Sequence, residues 1–285
     1  MFPRRWFLKA LTCASLASAI DGAGTAVADE SWAPLLRIGL LPTQPTLALL
    51  RLYAPVRSGL EQGMGRPVAL YTSAGFRAHL DDIRTQFFDM LVTAPHLGVI
   101  AADLGYVPLF RYQVELRPII VIGKDSGITA PSQLRNRRVL TADSMAALSL
   151  VAESWLERDY GLISGRDYQL FDAANHGNAI RGVALGEASA AISGTTPLRQ
   201  IPQAVRDKVS VIECPVIAPH QSILAHPRLG GTVIADLRQS LLSFATTTEG
   251  RDFFSASGFL GLVGLTDADI QAARPYTDML LKRIG

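Results

Sequence analysis

Cysteine is nearly absent from this chain of 285 residues, with only Cys13 and Cys214 present, which excludes a small fold stapled by disulfides. Charge is sparse as well: Asp, Glu, Lys and Arg make up 18% and the formal net charge is +2, too little for a protein that binds nucleic acid through basic patches. No apolar run reaches the roughly 20 residues that a membrane span needs. Enzyme signatures are also missing. There is no G-x-S-x-G elbow, no H-E-x-x-H, no C-x-x-C and no P-loop. Gly63-Met64-Gly65 precedes a strand instead of following one, so it is not a dinucleotide loop. What remains is a globular composition, 48% hydrophobic, long enough for one large domain or two lobes.

The first residues have a different character. Arg4-Arg5-Trp6-Phe7-Leu8-Lys9 is followed by a short apolar stretch, Ala10 to Ile20, and by Ala26-Val27-Ala28. A basic region, a short apolar region and an Ala-x-Ala site predict a cleaved export signal over residues 1–28. The Arg pair resembles a twin-arginine signal. Cys13 would be discarded with it. Removal also takes Arg4, Arg5, Lys9 and Asp21, lowering the 27 basic residues to 24 and the 25 acidic residues to 24. The excess positive charge therefore belongs to the leader, and the expected mature protein is a neutral exported chain with one cysteine.

Beyond the leader, short apolar runs alternate with helix-like segments. Strands are expected at Leu35–Leu41, Pro67–Thr72, Phe88–Thr93, Val107–Tyr112, Pro118–Gly123, Val139–Thr141, Tyr168–Phe171, Ala188–Ser193, Val209–Glu213 and Ser222–Ala225. Pro118–Gly123 is continuous and rich in Ile and Val, as in a strand buried on both faces. Helices are expected between the strands, among them Leu47–Leu60, Ser144–Tyr160, Asn178–Leu185, Pro197–Arg206 and Asp267–Ile284. This alternation predicts an α/β protein with largely parallel sheets. In such folds ligands bind beyond the carboxyl ends of strands. The loops there are small, hydroxylic and amide-rich, for example Pro42-Thr43-Gln44, Ser73-Ala74-Gly75-Phe76, Thr93-Ala94-Pro95-His96, Ala174-Asn175-His176-Gly177-Asn178 and Ser193-Gly194-Thr195-Thr196. They carry few charges, which suits a neutral cleft whose donors are backbone N–H groups, hydroxyls and imidazoles. Three of the five histidines, His96, His176 and His220, fall in these loops, where they could bond an anion, titrate or bind a metal.

Several segments in order resemble the periplasmic phosphate/phosphite/phosphonate-binding proteins of ABC transporters. They are Ile38-Gly39-Leu40-Leu41-Pro42, Gly105-Tyr106-Val107-Pro108-Leu109, Ile119–Ile122 with Lys124-Asp125-Ser126-Gly127-Ile128 and Leu134, His176 with Asn178-Ala179-Ile180, Gly186-Glu187-Ala188, and Thr248-Glu249-Gly250 with Gly258-Phe259. The resemblance implies a type II periplasmic binding protein fold, two α/β lobes joined by two crossover strands near 113–118 and 216–222. One lobe would hold 33–114 plus 219–285 and the other 115–218. It implies a periplasmic, non-catalytic, monomeric protein without cofactor or metal. Such a protein captures a small phosphonate, phosphite or phosphate-like oxyanion and hands it to a membrane permease. Alternatives are a sensor acting on a membrane signalling protein, or a site for a ligand without phosphorus. The implied contacts are backbone amides of Ser144, Met145 and Ala146, then Thr43, Phe76, Thr93 and His96 from the first lobe, His176, Asn178 and Thr195 from the second, and His220 at the hinge. The family's Ser-Thr-Ser-Gly-type turn is here Asp143-Ser144-Met145-Ala146, so most of its hydroxyls are gone. No carboxylate matches those that hold an amino group, which disfavours 2-aminoethylphosphonate.

Overall fold

The computed structural model describes residues 34–285. The leader reading, with Arg4-Arg5, Cys13 and the cleavage after Ala28, lies outside these residues. From the amino end the elements are β1 (Leu36–Leu40), α1 (Thr46–Met64), β2 (Val68–Thr72), α2 (Phe76–Arg84), β3 (Met90–Thr93), α3 (Pro95–Asp103), β4 (Val107–Tyr112), β5 (Glu115–Leu116), β6 (Pro118–Gly123), β7 (Arg138–Thr141), α4 (Ala147–Tyr160), β8 (Gln169–Asp172), α5 (His176–Ala184) and β9 (Ala190–Gly194). They continue with α6 (Thr195–Gln200), α7 (Gln203–Arg206), β10 (Val209–Glu213), β11 (Ala218–Pro219), β12 (Ser222–Ala225), α8 (Gly231–Thr246), α9 (Thr248–Ser257), β13 (Leu262–Gly264) and α10 (Asp267–Ile284). Among the described residues no helix is long and apolar enough to cross a membrane.

The strands form two main sheets, one ordered β13-β4-β12-β3-β1-β2 and the other β10-β6-β9-β7-β8. The chain passes between them twice, through β5 and β11, and these two passes pair antiparallel at Leu116 with Ala218 and Glu115 with Pro219. The sheets are mixed, a correction to the expected largely parallel arrangement. Parallel pairing is confined to β1 with β2 and β3, and β7 with β8 and β9. Those are the stretches in which an intervening helix carries the chain back so that successive strands run in the same direction. Where the chain enters a sheet after a crossover, at β6 and β12, it runs antiparallel to its neighbours.

Side-chain alternation along the strands builds a core on each face. Met90 and Val92 of β3, with Ile223 and Ala225 of β12, face α1, α8 and α9, where Leu49, Tyr53, Leu241, Phe244 and Phe253 complete the cluster. Leu91 and Leu224 face the other way, toward α2, α3 and α10. In the second sheet Ile120 and Ile122 pack with Trp155 and Leu156 of α4, while Ile119 and Val121 pack with Ile180 and Val183 of α5. The expectation that Pro118–Gly123 is covered on both faces therefore matches the structure. Gly39 is required in β1, because a Cβ there would lie 2.5 Å from the Phe88 ring. The helix expected over Pro197–Arg206 is two pieces, interrupted at Ile201-Pro202, since proline cannot donate the next helical bond.

Helix α4 also joins the two sheets. Its opposite face places Ala146, Leu150 and Val151 against Leu97 of α3 and Tyr276 and Leu280 of α10. Arg283 near the end of α10 pairs with Glu153 of α4 at 2.9 Å and donates to the Ser144 carbonyl. Glu153 is raised from its ordinary range by burial, which outweighs the opposing pull of Arg283.

Candidate functional site

A cleft of about 370 Å³ lies where the carboxyl ends of the strands of both sheets meet the crossovers. Six helices begin at its wall. Their cap or first-turn residues, Pro45 (α1), Phe76 (α2), Ala94 (α3), Ala146 (α4), Asn175 (α5) and Gly194 (α6), all line it. Five of these helices have no side chain bonded to their first amides, because proline, alanine or glycine stands at the cap. Only Asn175 caps, accepting from the Asn178 amide at 2.9 Å. An open helix N-terminus carries free N–H donors and about half a positive charge; at α6 the Thr195 amide is already bonded to the Arg117 carbonyl at 3.3 Å. Among the described residues, the lining's only ionised side chains are Glu115 and Arg117, and they pair with each other at 2.7 Å. Among the described residues the cleft thus presents dipoles without a free cation.

Among the residues expected at the site, the structure brings Thr43, Phe76, Ala146, His176, Thr195 and His220 together in this lining. His176 holds its Nδ1 3.2 Å from the Ser193 hydroxyl. Burial pushes the His176 and His220 imidazoles down to about 4, and Arg111 adds to the effect on His220, so both are neutral at pH 7. His220 packs against Phe259 with ring centroids 5.2 Å apart, and its Nδ1 is shielded from solvent without a partner.

The other expected contacts lie elsewhere. Thr93 is fully buried, its hydroxyl 3.0 Å from His79 Nε2. His96 is fully buried too. Its Nε2 donates to the Met145 carbonyl at 3.0 Å, so it ties α3 to the turn before α4 instead of facing the cleft. Asn178 is exposed on α5 and outside the lining. The amides of residues 144–146, expected to contact the ligand, are instead bonded within the protein. The Ser144 amide donates to Asp172 Oδ1 at 2.7 Å, the Met145 amide to Asp143 Oδ1 at 2.7 Å, and the Ala146 amide to the Asp143 carbonyl at 3.0 Å. All three donors are spent inside the protein. Ser144 faces a separate depression lined by Ser164, Asp172 and Arg283. Asp143 is raised above the usual carboxylate range by burial, with Asp172 adding to the rise and the Met145 amide opposing it. At this helix the donors left open are the amides of Ala147 and Leu148, which have no acceptor among the described residues.

Lining residues that the sequence did not single out include Gln44, Asn175, Thr196, Gln200, Gln221, Ser257 and Phe259. Most stand next to an expected residue in the same loop. Ser257 ends α9 and Phe259 follows it, far along the chain; Phe259 lies in the Gly258-Phe259 segment of the resemblance, while no local signal marks Ser257. Among the described residues no three His, Cys, Asp or Glu side chains converge as metal ligands.

No curated protein matches the chain in sequence. Solved structures match in fold. PhnD1 from Prochlorococcus marinus, solved in complex with methylphosphonate, superposes with a TM-score of 0.73 at 14% identity, over 87% of this chain and 98% of that one. A binding protein component of an ABC phosphonate transporter from Pseudomonas aeruginosa gives 0.72 at 13%, over 88% and 98%. XAC2383 from Xanthomonas citri, bound to ATP, gives 0.74 at 12%, over 88% and 98%. These likenesses establish the two-lobed periplasmic binding protein fold. The family model described as "ABC transporter, phosphonate, periplasmic substrate-binding protein" matches residues 38–270. With two mixed sheets, a paired double crossover and a cleft ringed by helix N-termini, the chain belongs to the phosphonate family of ABC-transporter periplasmic substrate-binding proteins.

Proposed function

We propose that the cleft captures a small phosphorus oxyanion, a phosphonate, phosphite or phosphate, and presents it to a membrane permease without chemical change. Residues 33–114 plus 219–285 act as one lobe and 115–218 as the other, hinged at the paired crossovers. The observation that carries this reading is the ring of six helix starts, five without a side-chain cap, around one cleft. Open amides and aligned dipoles hold an oxyanion without a lysine or arginine. Thr43, Thr195 and the amides of Ala147 and Leu148 supply donors, while Phe76, Ala146, His176 and His220 shape the wall. The protein works as a monomer in the periplasm after export through the twin-arginine-like leader.

Thermal denaturation with methylphosphonate, phosphite and phosphate tests the ligand class. Saturation at 100 times Kd adds about 2.7 kcal/mol, which raises the Tm of a domain this size by about 5 °C or more. A Tm unmoved by all three anions at millimolar concentration would overturn the oxyanion reading.

A further inference from the structure

The lining includes an apolar wall. Leu41, Phe76, Ala94 and Ala146 belong to a single hydrophobic cluster and also line the cleft. Polar side chains line it as well, among them Thr43, Gln44, Asn175 and His176. A site built for a bare tetrahedral anion has no use for an apolar wall. Building on the oxyanion reading above, we propose that the ligand is an organophosphonate with an apolar substituent of several carbons. Its head lies at the open start of α4, and its substituent lies against the side chains of Leu41, Phe76 and Ala94.

Three further observations support this. First, among the described residues the cleft has no free positive charge, since Arg117 is already paired with Glu115. Desolvating a doubly charged anion there is costly. An alkyl group on phosphorus raises the second ionisation of the acid, so an alkylphosphonate keeps its proton at higher pH than phosphate or phosphite does. Second, the pairing of Glu115 leaves no carboxylate in the lining for an ammonium group, which disfavours aminoalkyl substituents. Third, His220 lines the cleft, and its Nδ1 is a buried polar atom without a hydrogen-bond partner among the described residues. A neutral imidazole can serve there as donor or acceptor to a singly protonated head.

Calorimetric titration of the purified chain with phosphate and with methyl-, propyl-, phenyl- and 2-aminoethylphosphonate tests the proposal. Each methylene buried against the wall improves the affinity about fourfold. Propyl- and phenylphosphonate are therefore expected to bind at least tenfold tighter than methylphosphonate, with phosphate and 2-aminoethylphosphonate no tighter than methylphosphonate. Phe76→Ala is expected to shrink the ratio of propyl to methyl affinity toward one. A flat or inverted series, with methylphosphonate still bound, overturns the apolar substituent and leaves the oxyanion reading standing. Binding of none of the five compounds overturns both.

Discussion

Helices α4 and α10 pack against each other, yet their N-termini are finished in opposite ways. At α10 the start is sealed. Thr266 Oγ1 accepts from the Asp269 amide, and Asp269 Oδ2 accepts from the Thr266 amide at 2.9 Å. At α4 two carboxylates satisfy the preceding turn, Asp172 bonding Ser144 and Asp143 bonding Met145, but neither reaches the first turn of the helix itself. The amides of Ala147 and Leu148 stay open on the cleft. Ordinary capping stabilises a helix by about 1 kcal/mol. Leaving α4 uncapped forgoes that gain and keeps donors available to a ligand. The same choice recurs at α1, α2, α3 and α6, each of which starts at the cleft with proline, glycine or alanine at its cap.

The largest expected effect is on the layer that joins these helices. His96 bonds the turn before α4 through Met145, while its own carbonyl accepts from Thr277 of α10 at 2.8 Å. Burial holds His96 neutral, down to about 4, as it does His79, His176 and His220. In the unfolded chain these imidazoles protonate near pH 6.5. Between pH 6.5 and 4 the unfolded state therefore binds more protons, and stability falls as the pH falls. Each imidazole costs on the order of 2 kcal/mol at pH 4.5. Asp143 and Glu153, both raised, act in the opposite sense as the pH falls toward their range. The histidines outnumber them, so Tm measured by circular dichroism should drop steeply from pH 6.5 to 4.5. A level Tm across that window would show that the imidazole layer is not held neutral. His96→Gln should lessen the slope. Ligand should raise the titration of the cleft pair, His176 and His220, and leave the buried pair, His79 and His96, where it is.

A carboxylate placed at the open start of α4 is the next test. Leu148→Asp puts a negative charge on the cleft wall at the second position of the helix, where an acidic residue is otherwise favourable for a helix. Repulsion at contact distance near a protein surface is about 4 kcal/mol, and part of it is screened. Anion affinity is expected to fall at least 100-fold in calorimetry, with little change in Tm. Retained affinity would mean that the anion does not sit at α4.

How far these features were legible in the sequence depends on the distance between the partners. Strand β6 and helix α10 could be bounded closely, since Pro118–Gly123 is a continuous apolar run and Asp267–Ile284 begins just after a threonine cap. The loops holding Thr43, Phe76, His176, Thr195 and His220 could be found as strand ends. The occupation of the Ser144 amide could not, because Asp172 lies 28 residues away on β8. Nor could the burial of His96, whose partner Met145 is 49 residues away. Strand β13 is three residues within a glycine-rich stretch, too short to show a pattern. Antiparallel pairing at β6 and β12 follows from where the chain crosses, which no local periodicity records.

The sealed start of α10 provides the smallest and cleanest contrast. Thr266→Ala removes the hydroxyl that accepts from the Asp269 amide and donates to the Asp269 carboxylate, so of the three bonds at this helix start only the one from the Thr266 amide to Asp269 remains. The loss expected is about 1 kcal/mol of stability, measured as a shift in the urea midpoint at constant slope. Thr266 lies outside the cleft lining, so the affinity for any anion should stay within twofold of the parent. Asp269 also pairs with Arg111 at 2.8 Å, and the change leaves that pair in place. If capping and binding are separate uses of the same backbone donors, Thr266→Ala moves stability alone and Leu148→Asp moves affinity alone. A Thr266→Ala protein that also lost affinity would show that the start of α10 and the cleft are coupled through the α4 contact, and the division between sealed and open helix starts would not hold.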